Sequence, residues 1–423
     1  MTALCGLFYG IQKMANTDIK WFSFDNLNAP QLSNTWGCMI DLLDACLVTG
    51  FGAQAVVNIV ISDGVGIATF NNSHSIKQFQ VVEFSGASEP ALNSEFKVLG
   101  LTANTIEFLI DLPDQTVTGA ISCKLAPLGW TKAFSGTQKA VYQAKDTVSN
   151  PYYLRVDNSR DPVYTDTYAK FAKVGILESC AGIDDISGNQ APFDPALPTK
   201  NWIGTGSGSG AVVGWFKWQY AVNENSATQG NYYESEGAAN GNRTWILVGT
   251  KDSFYLINKA TVNTILEIPY GFGVIQHNEV AKPFLFAVNR YASANSSVIS
   301  ATSLGDPSKV GVAAMYDYVG SKVNDKFSKA LSGFGNIISG SAGNVVKTDP
   351  VRGYVLTNLY LVDPDNFILD AFPLVRFCVN NATTAANFDL FFDGEKIYIA
   401  SRFRTGAGGQ IGTLFFKIYD GAE

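Results

Sequence analysis

Residues 56–70 read VVNIVISDGVGIATF and carry the clearest fold signal in the chain. Two runs rich in β-branched residues, 56–61 and 65–70, flank Ser62, Asp63 and Gly64. An Asp-Gly pair between two such runs predicts a β-hairpin, because both residues accept the positive φ angles that a tight turn requires. We therefore expect antiparallel β-structure around this stretch.

Similar short runs continue on the C-terminal side of the hairpin. Ala103 and Asn104 mark another tight turn between two of them. The runs that we interpret as further strands are residues 80–84, 96–101, 105–110 and 116–125. Six short strands at this spacing predict a small barrel or sandwich.

A helix is predicted immediately before the hairpin, over residues 33–50. Ser33 or Asn34 can cap its start, and Gly50 suits its end. Its apolar residues recur at helical spacing, at Trp36, Ile40, Leu43 and Leu47. Two acids, Asp41 and Asp44, are expected to face away from this stripe. The pattern indicates a helix that docks by one apolar face.

Beyond Pro127 the runs become longer and richer in Trp and Tyr, which indicates a second sheet system. These runs cover residues 129–134, 140–143, 152–156, 212–220, 245–249 and 253–257. The stretch GTGSGSG, residues 204–210, is a flexible loop by composition, and it lacks the GxxxxGK[ST] pattern of a phosphate-binding loop.

The last third of the chain is glycine-rich and is also predicted to be β-structure. Strands are expected at residues 354–361, 367–369, 388–392 and 397–403, with a turn at 363–366 between the first two. One helix is an alternative further upstream, because apolar residues recur every four positions at Met315, Val319, Val323, Phe327 and Leu331.

These patterns predict a mostly β, multi-domain chain. An N-terminal arm, residues 1–30, precedes a helix and a small β-barrel or sandwich module over residues 31–128. A larger antiparallel β domain with a Gly/Ser-rich loop covers residues 129–300. Residues 301–423 form a C-terminal β region that is either separate or part of the central domain.

Composition excludes several classes of function. Charged residues make up 16% of the chain and hydrophobic residues 46%, and the net charge is −7. An acidic chain without a basic block is unsuited to coating nucleic acid, which requires clustered Lys and Arg. No long apolar run predicts a membrane span or a signal peptide. The scattered cysteines are expected to be small buried hydrophobes of a reducing cytosol.

The sequence offers little material for catalysis. His74 and His277 are the only histidines, and each is expected to be structural. Asp184 and Asp185 lack the spacing of a calcium loop and predict a surface turn. Two carboxylate pairs could serve glycoside hydrolysis if they faced a sugar, namely Asp363 with Asp365 and Glu234 with Glu236. We expect no enzyme activity, no cofactor and no metal.

Aromatic residues give the only candidate binding residues. Trp215, Trp218 and Tyr220 stand at or near alternate positions of one predicted strand and, with Trp21, could contact a glycan or a partner protein. The alternative is that the rings pack in a core, which is the more common use of such a sheet face.

Several stretches, spread over most of the chain, carry a resemblance to a known family. Residues 21–52 read WFSFDNLNAPQLSNTWGCMIDLLDACLVTGFG, and residues 86–110 read GASEPALNSEFKVLGLTANTIEFLI. The first resembles the start of a family of tailed-bacteriophage virion structural proteins with a helix of the pattern LLDACLVxGFG. The second is similar to a small β module of phage tail and fibre proteins, although Ser94 stands where Gly is usual. The resemblance implies a virion component without a catalytic motif.

The expected function is therefore assembly. The chain would be made in the bacterial host cytoplasm and reside in the virion, in the tail, baseplate or neck. It would bridge or clamp tail tube, sheath, baseplate or neck subunits in symmetric copies, with the arm as the segment that docks on another chain or covers its own sheet. The alternatives are a glycan-binding tail fibre or receptor-binding protein, a head decoration protein, and a cell-wall hydrolase.

Overall fold

The computed structural model describes residues 15–224, 231–264, 267–289, 298–300, 311–313, 329–332, 354–363, 365–378, 387–404 and 411–421. These residues are mostly β, which confirms the predicted fold class. The strands of the N-terminal half are β1 Lys20–Ser23, β2 Phe51–Ser62, β3 Val65–Phe70, β4 Val81–Ala87, β5 Glu95–Lys97, β6 Gly100–Leu101, β7 Thr105–Leu109, β8 Gln115–Val117, β9 Gly119–Leu125, β10 Thr131–Gly136, β11 Lys139–Gln143, β12 Tyr153–Asp157, β13 Lys170–Leu177, β14 Gln190–Ala191 and β15 Phe216–Ala221.

The remaining strands are β16 Asn223–Glu224, β17 Asn231–Tyr233, β18 Trp245–Gly249, β19 Phe254–Asn258, β20 Ile268–His277, β21 Val280–Asn289, β22 Val298–Ser300, β23 Gly311–Ala313, β24 Lys329–Ser332, β25 Leu356–Val362, β26 Ile368–Cys378, β27 Leu390–Asp393, β28 Lys396–Arg404 and β29 Ile411–Asp420. The helices are α1 Cys38–Leu43, a π-helix Asp44–Thr49, and two 3₁₀ turns, Pro90–Leu92 and Gly208–Gly210. The second of these turns lies in the predicted glycine-rich loop.

The first sheet has eight strands, seven in the order β5-β4-β9-β2-β3-β7-β6 and an eighth, β8, that pairs with β2. Its two end strands, β5 and β6, belong to one continuous stretch, residues 95–101. Within this stretch the Val98 N–H donates to the Gln80 carbonyl, next to β4, and the Leu99 N–H donates to the Glu107 carbonyl of β7. The predicted runs 96–101 and 116–125 are each split in two. The second split lies at Thr118, just before Gly119, whose φ of 145° favours glycine.

The predicted hairpin is present with its predicted turn. β2 and β3 pair in register from Ser62 opposite Val65. Asp63 and Gly64 have φ angles of 51° and 74°, which is the pair of positive values that a two-residue hairpin turn needs.

The predicted helix begins later than expected, and its cap was predicted wrongly. Neither Ser33 nor Asn34 caps it; α1 starts after Gly37, and Asn158 Oδ1 accepts hydrogen bonds from the N–H groups of Gly37 and Met39 at 2.9 and 3.0 Å. A residue distant in sequence thus satisfies the donors at the helix start. The helix ends before Gly50, as predicted.

The largest sheet has the order β1-β18-β19-β20-β21-β15-β13-β12-β11-β10. Lys20 to Ser23 of the predicted arm form its edge strand and pair with Gly249 to Ile246. The described part of the arm therefore covers its own chain, and residues 1–14 lie outside the described residues. β13, β20 and β21, which the sequence did not reveal, are buried on both faces over most of their length.

The C-terminal sheet, in the order β24-β25-β26-β29-β28-β27, packs on the large sheet. The Phe372 ring lies 5.1 and 4.8 Å from those of Phe284 and Phe286, and Tyr255 lies 5.3 Å from Phe416. The two sheets share one hydrophobic core, to which residues of the N-terminal module also belong. Of the alternative helix, Leu331 lies in strand β24, and Met315, Val319, Val323 and Phe327 lie outside the described residues.

Candidate functional site

The structure buries all four aromatic residues predicted to contact a glycan or partner. Trp21, Trp215, Trp218 and Tyr220 expose 4%, 1%, 0% and 0% of their surface. Trp218 Nε1 donates to the Phe286 carbonyl at 2.8 Å, and the Tyr220 hydroxyl donates to the Thr35 carbonyl at 2.9 Å. An open platform needs exposed ring faces, so the prediction of contacts at these residues is corrected. The alternative, a packed core, is the one observed.

Both histidines contact backbone carbonyls. His74 Nε2 lies 3.0 Å from the Thr105 carbonyl, and His277 Nδ1 lies 2.7 Å from that of Leu369. Each ring therefore holds a turn in place, which agrees with the structural role predicted for it.

Three of the four carboxylates considered for glycoside hydrolysis accept hydrogen bonds from groups of the same chain. Buried Glu234 pairs with Lys217 at 2.8 Å and accepts from Gln219 Nε2 at 2.9 Å. Glu236 accepts from Asn223. Asp363 accepts from the Phe367 N–H at 2.8 Å. Within the described ranges, no three His, Cys, Asp or Glu side chains are grouped as a metal ion would require.

A cluster of charged residues around Lys173 and Arg155 attaches residues 178–206 to the large sheet. Lys173 Nζ lies 3.3 Å from Asp157 and 3.5 Å from Asp161. The Arg155 guanidinium lies 4.3 Å from the centre of the Trp202 ring and 3.2 Å from Asp184.

The predicted Asp184–Asp185 surface turn belongs to this cluster. The hydrogen bond from Lys139 lowers the pKa of Asp184, while Asp185 accepts from Ser187 and from the Ala181 N–H. The contacts within this turn are those of a structural element.

Two buried ionisable side chains had no sequence signal. Burial lowers the pKa of Lys97 to about 7, and its ammonium donates to the Ile19 carbonyl. Burial raises the pKa of Glu267 to about 8, and Ser401 Oγ donates to it at 2.9 Å across the two packed sheets. Burial also raises the pKa of the Cys46 and Cys123 thiols, which suits the inert, buried role predicted for cysteine.

Exposed apolar residues, rather than polar ones, mark the candidate site. Among the described residues, six large apolar side chains are more than half exposed: Val148 (92%), Phe367 (69%), Ile203 (58%), Ile368 (55%), Phe392 (55%) and Val280 (53%). Four of these, Val148, Val280, Phe367 and Ile368, lie at one end of the two packed sheets. We call this group the apolar end.

The tip of the β20–β21 hairpin contacts the two other segments that carry residues of the apolar end. Val280 is the cross-strand partner of His277, whose ring contacts Leu369, the residue after Ile368. On the neighbouring position of the same strand, Gln276 Nε2 donates to the Ser149 carbonyl at 3.2 Å, beside Val148. Because adjacent strand residues point to opposite faces, Phe367 and Ile368 lie on one side of the tip and Val148 on the other.

Local turns hold these side chains outward. Asn278 and Glu279 have φ angles of 50° and 63°, which makes the hairpin tip a tight two-residue turn. In the β25–β26 turn, the Asp363 N–H donates to the Phe367 carbonyl at 3.0 Å, and the Asp363 carboxylate accepts from the Phe367 N–H. Sequence analysis predicted this turn at residues 363–366 but not the exposure of the residues that follow it.

Comparison with protein-family models and with curated proteins finds no match to the chain. In the described part of the chain, none of the helices has the length and apolar character needed to cross a bilayer.

Proposed function

We propose that the chain is a non-enzymatic structural component of a tailed-bacteriophage virion. It is made in the bacterial host cytoplasm and is present in symmetric copies in the tail, baseplate or neck. There it joins neighbouring tube, sheath, baseplate or neck subunits. The resemblance of residues 21–52 and 86–110 to phage virion proteins supports the particle, and the structure supplies the physical basis for a binding role.

One observation carries the proposal: of the six most exposed large apolar side chains among the described residues, four lie at the apolar end. Single exposed apolar residues are normal on a protein surface, but a group of them marks a site of contact with another molecule. The side chains considered for chemistry, such as His277 and Glu234, contact groups of the same chain. We therefore propose that the chain acts by binding other proteins.

The glycan-binding alternative required exposed aromatic rings for a sugar to stack on, but Trp215, Trp218 and Tyr220 are buried. A receptor-binding role would need another surface. A head decoration protein would share the same β-rich character. The position of the chain in a map of the particle distinguishes a place on the head from one in the tail, baseplate or neck.

The test is a cryo-EM map of purified particles, with this chain fitted and its copies counted by quantitative mass spectrometry. We expect density for the chain in the tail, baseplate or neck, with part of its surface against other subunits. Density on the head shell would replace the proposed location. Particles that lack the chain would refute the proposed function.

A further inference from the structure

We propose that the apolar end binds an apolar pocket with a basic rim on another protein of the particle. This inference rests on the proposed function and adds the chemistry of the partner. It follows from the charges around the apolar end and from the way its turns are held.

The two turns that carry Val280, Phe367 and Ile368 are acidic, whereas the turn of Val148 is mixed in charge, with Lys145 and with Asp146 paired to Lys251. Residues 277–282 and 363–370 contain Glu279, Asp363, Asp365 and Asp370 but only one basic residue, Lys282. Glu279, Asp365 and Asp370 are exposed beside Val280, Phe367 and Ile368. Apolar side chains within an acidic collar match a pocket whose walls are apolar and whose rim carries Lys or Arg.

The same charges argue against two other occupants. The cytoplasmic surface of a membrane is anionic and would repel the acidic collar. A symmetric contact between two apolar ends would bring like acids together, because a twofold interface places the same patch on both partners. A basic-rimmed protein surface avoids both costs.

Binding by the apolar end would cost little ordering. The His277 ring connects the tip of the β20–β21 hairpin to the Leu369 carbonyl of β26. Asp363 closes the β25–β26 turn by bonding to Phe367 with both its N–H and its carboxylate. Phe367 is thus presented on a turn that is already hydrogen-bonded, and preformed surfaces lose less entropy on binding.

The first test measures incorporation into particles. Host cells would express the wild-type chain, the triple variant V280S/F367S/I368S or the control I203S/F392S. These cells would then be infected with phage that lacks the gene for the native chain. The control removes apolar side chains of similar exposure that lie outside the apolar end. Circular dichroism and thermal melting of each purified protein check that the variants fold.

We expect the triple variant to be incorporated at least about tenfold less than wild type, because buried apolar anchors dominate such contacts. The control should stay within about twofold of wild type by the same reasoning. Equal incorporation of the triple variant and the control would overturn this inference and leave the proposed function standing. Absence of the wild-type chain from particles would overturn both.

The second test identifies the surface that the apolar end touches. A photo-crosslinking phenylalanine analogue placed at position 367 would be irradiated in intact particles, and the crosslinked peptides would be sequenced. We expect peptides of another virion protein in which apolar residues adjoin Lys or Arg. Crosslinks mainly to a second copy of this chain, or to lipid, would refute the proposed partner. In an in vitro reconstitution with the identified partner, E279K/D365K should weaken binding most at low salt.

Discussion

Glu267 makes the packing of the two sheets sensitive to pH. Its side chain is buried between β20 and β28, where its own N–H donates to the Arg402 carbonyl at 3.0 Å and Ser401 Oγ donates to its carboxylate. Burial raises its pKa from an ordinary 4.5 to about 8, and the hydrogen bond from Ser401 and the attraction of Lys259 offset only part of that effect. Between pH 4.5 and 8 the folded chain therefore holds a proton that the unfolded chain releases.

Stability should accordingly fall as pH rises through this window, since the unfolded state binds fewer protons. Each pKa unit is worth about 1.4 kcal/mol, so the cost at pH 7 is about 3 kcal/mol and at pH 8.5 about 5 kcal/mol. Glu267→Gln removes the ionisation and keeps the shape and an acceptor for Ser401. The variant should be more stable than wild type by these amounts, and about equal to it at pH 4.5.

The assay is urea unfolding followed by tryptophan fluorescence at pH 4.5, 6, 7 and 8.5. The quantity compared is the free energy of unfolding of the variant minus that of wild type. Glu279→Gln, at an exposed position, is the matched control and should show little dependence on pH. A Glu267→Gln difference that stayed constant from pH 4.5 to 8.5 would refute the reasoning.

The other predictions concern residues that the structure buries or strains. Trp218→Ala should lower the free energy of unfolding by about 3–5 kcal/mol, since it leaves a cavity in the core; a urea midpoint equal to that of wild type would contradict its burial. Lys217→Met should cost about 3–5 kcal/mol because Glu234 would be left charged and buried. Adding Glu234→Gln should recover part of that loss in the same denaturation assay, and no recovery would show that the charge is not its cause. Gly64→Ala should cost about 1–2 kcal/mol at a φ of 74°; a thermal midpoint unchanged by this substitution would argue against the proposed turn.

Sequence analysis predicted those parts of the fold that depend on neighbours in the chain. The β2–β3 hairpin was readable because Asp63 and Gly64 supply the turn conformation themselves. The helix end near Gly50 was readable for the same reason. The helix start was not, because its cap is Asn158, and no local pattern points to a residue so distant.

The same limit applied to the site. Trp218 and Tyr220 lie in a strand that would look alike with one face open or covered. Their partners, the Phe254 ring and the Thr35 carbonyl, are distant in the sequence and had to be placed before this burial was known. Strands β13, β20 and β21 were missed because burial on both faces removes the alternation that identifies a strand.

By itself, the sequence determined that the chain is mostly β, that its strands are antiparallel and joined by tight turns, and that one helix precedes the β2–β3 hairpin. Periodicity and turn chemistry act between residues a few positions apart, so a linear pattern can encode them. The tertiary structure alone decided that Trp215 and Trp218 lie in a core and that Val148, Val280 and Phe367 share one end. Burial depends on which surfaces meet, and those surfaces come from segments more than a hundred residues apart.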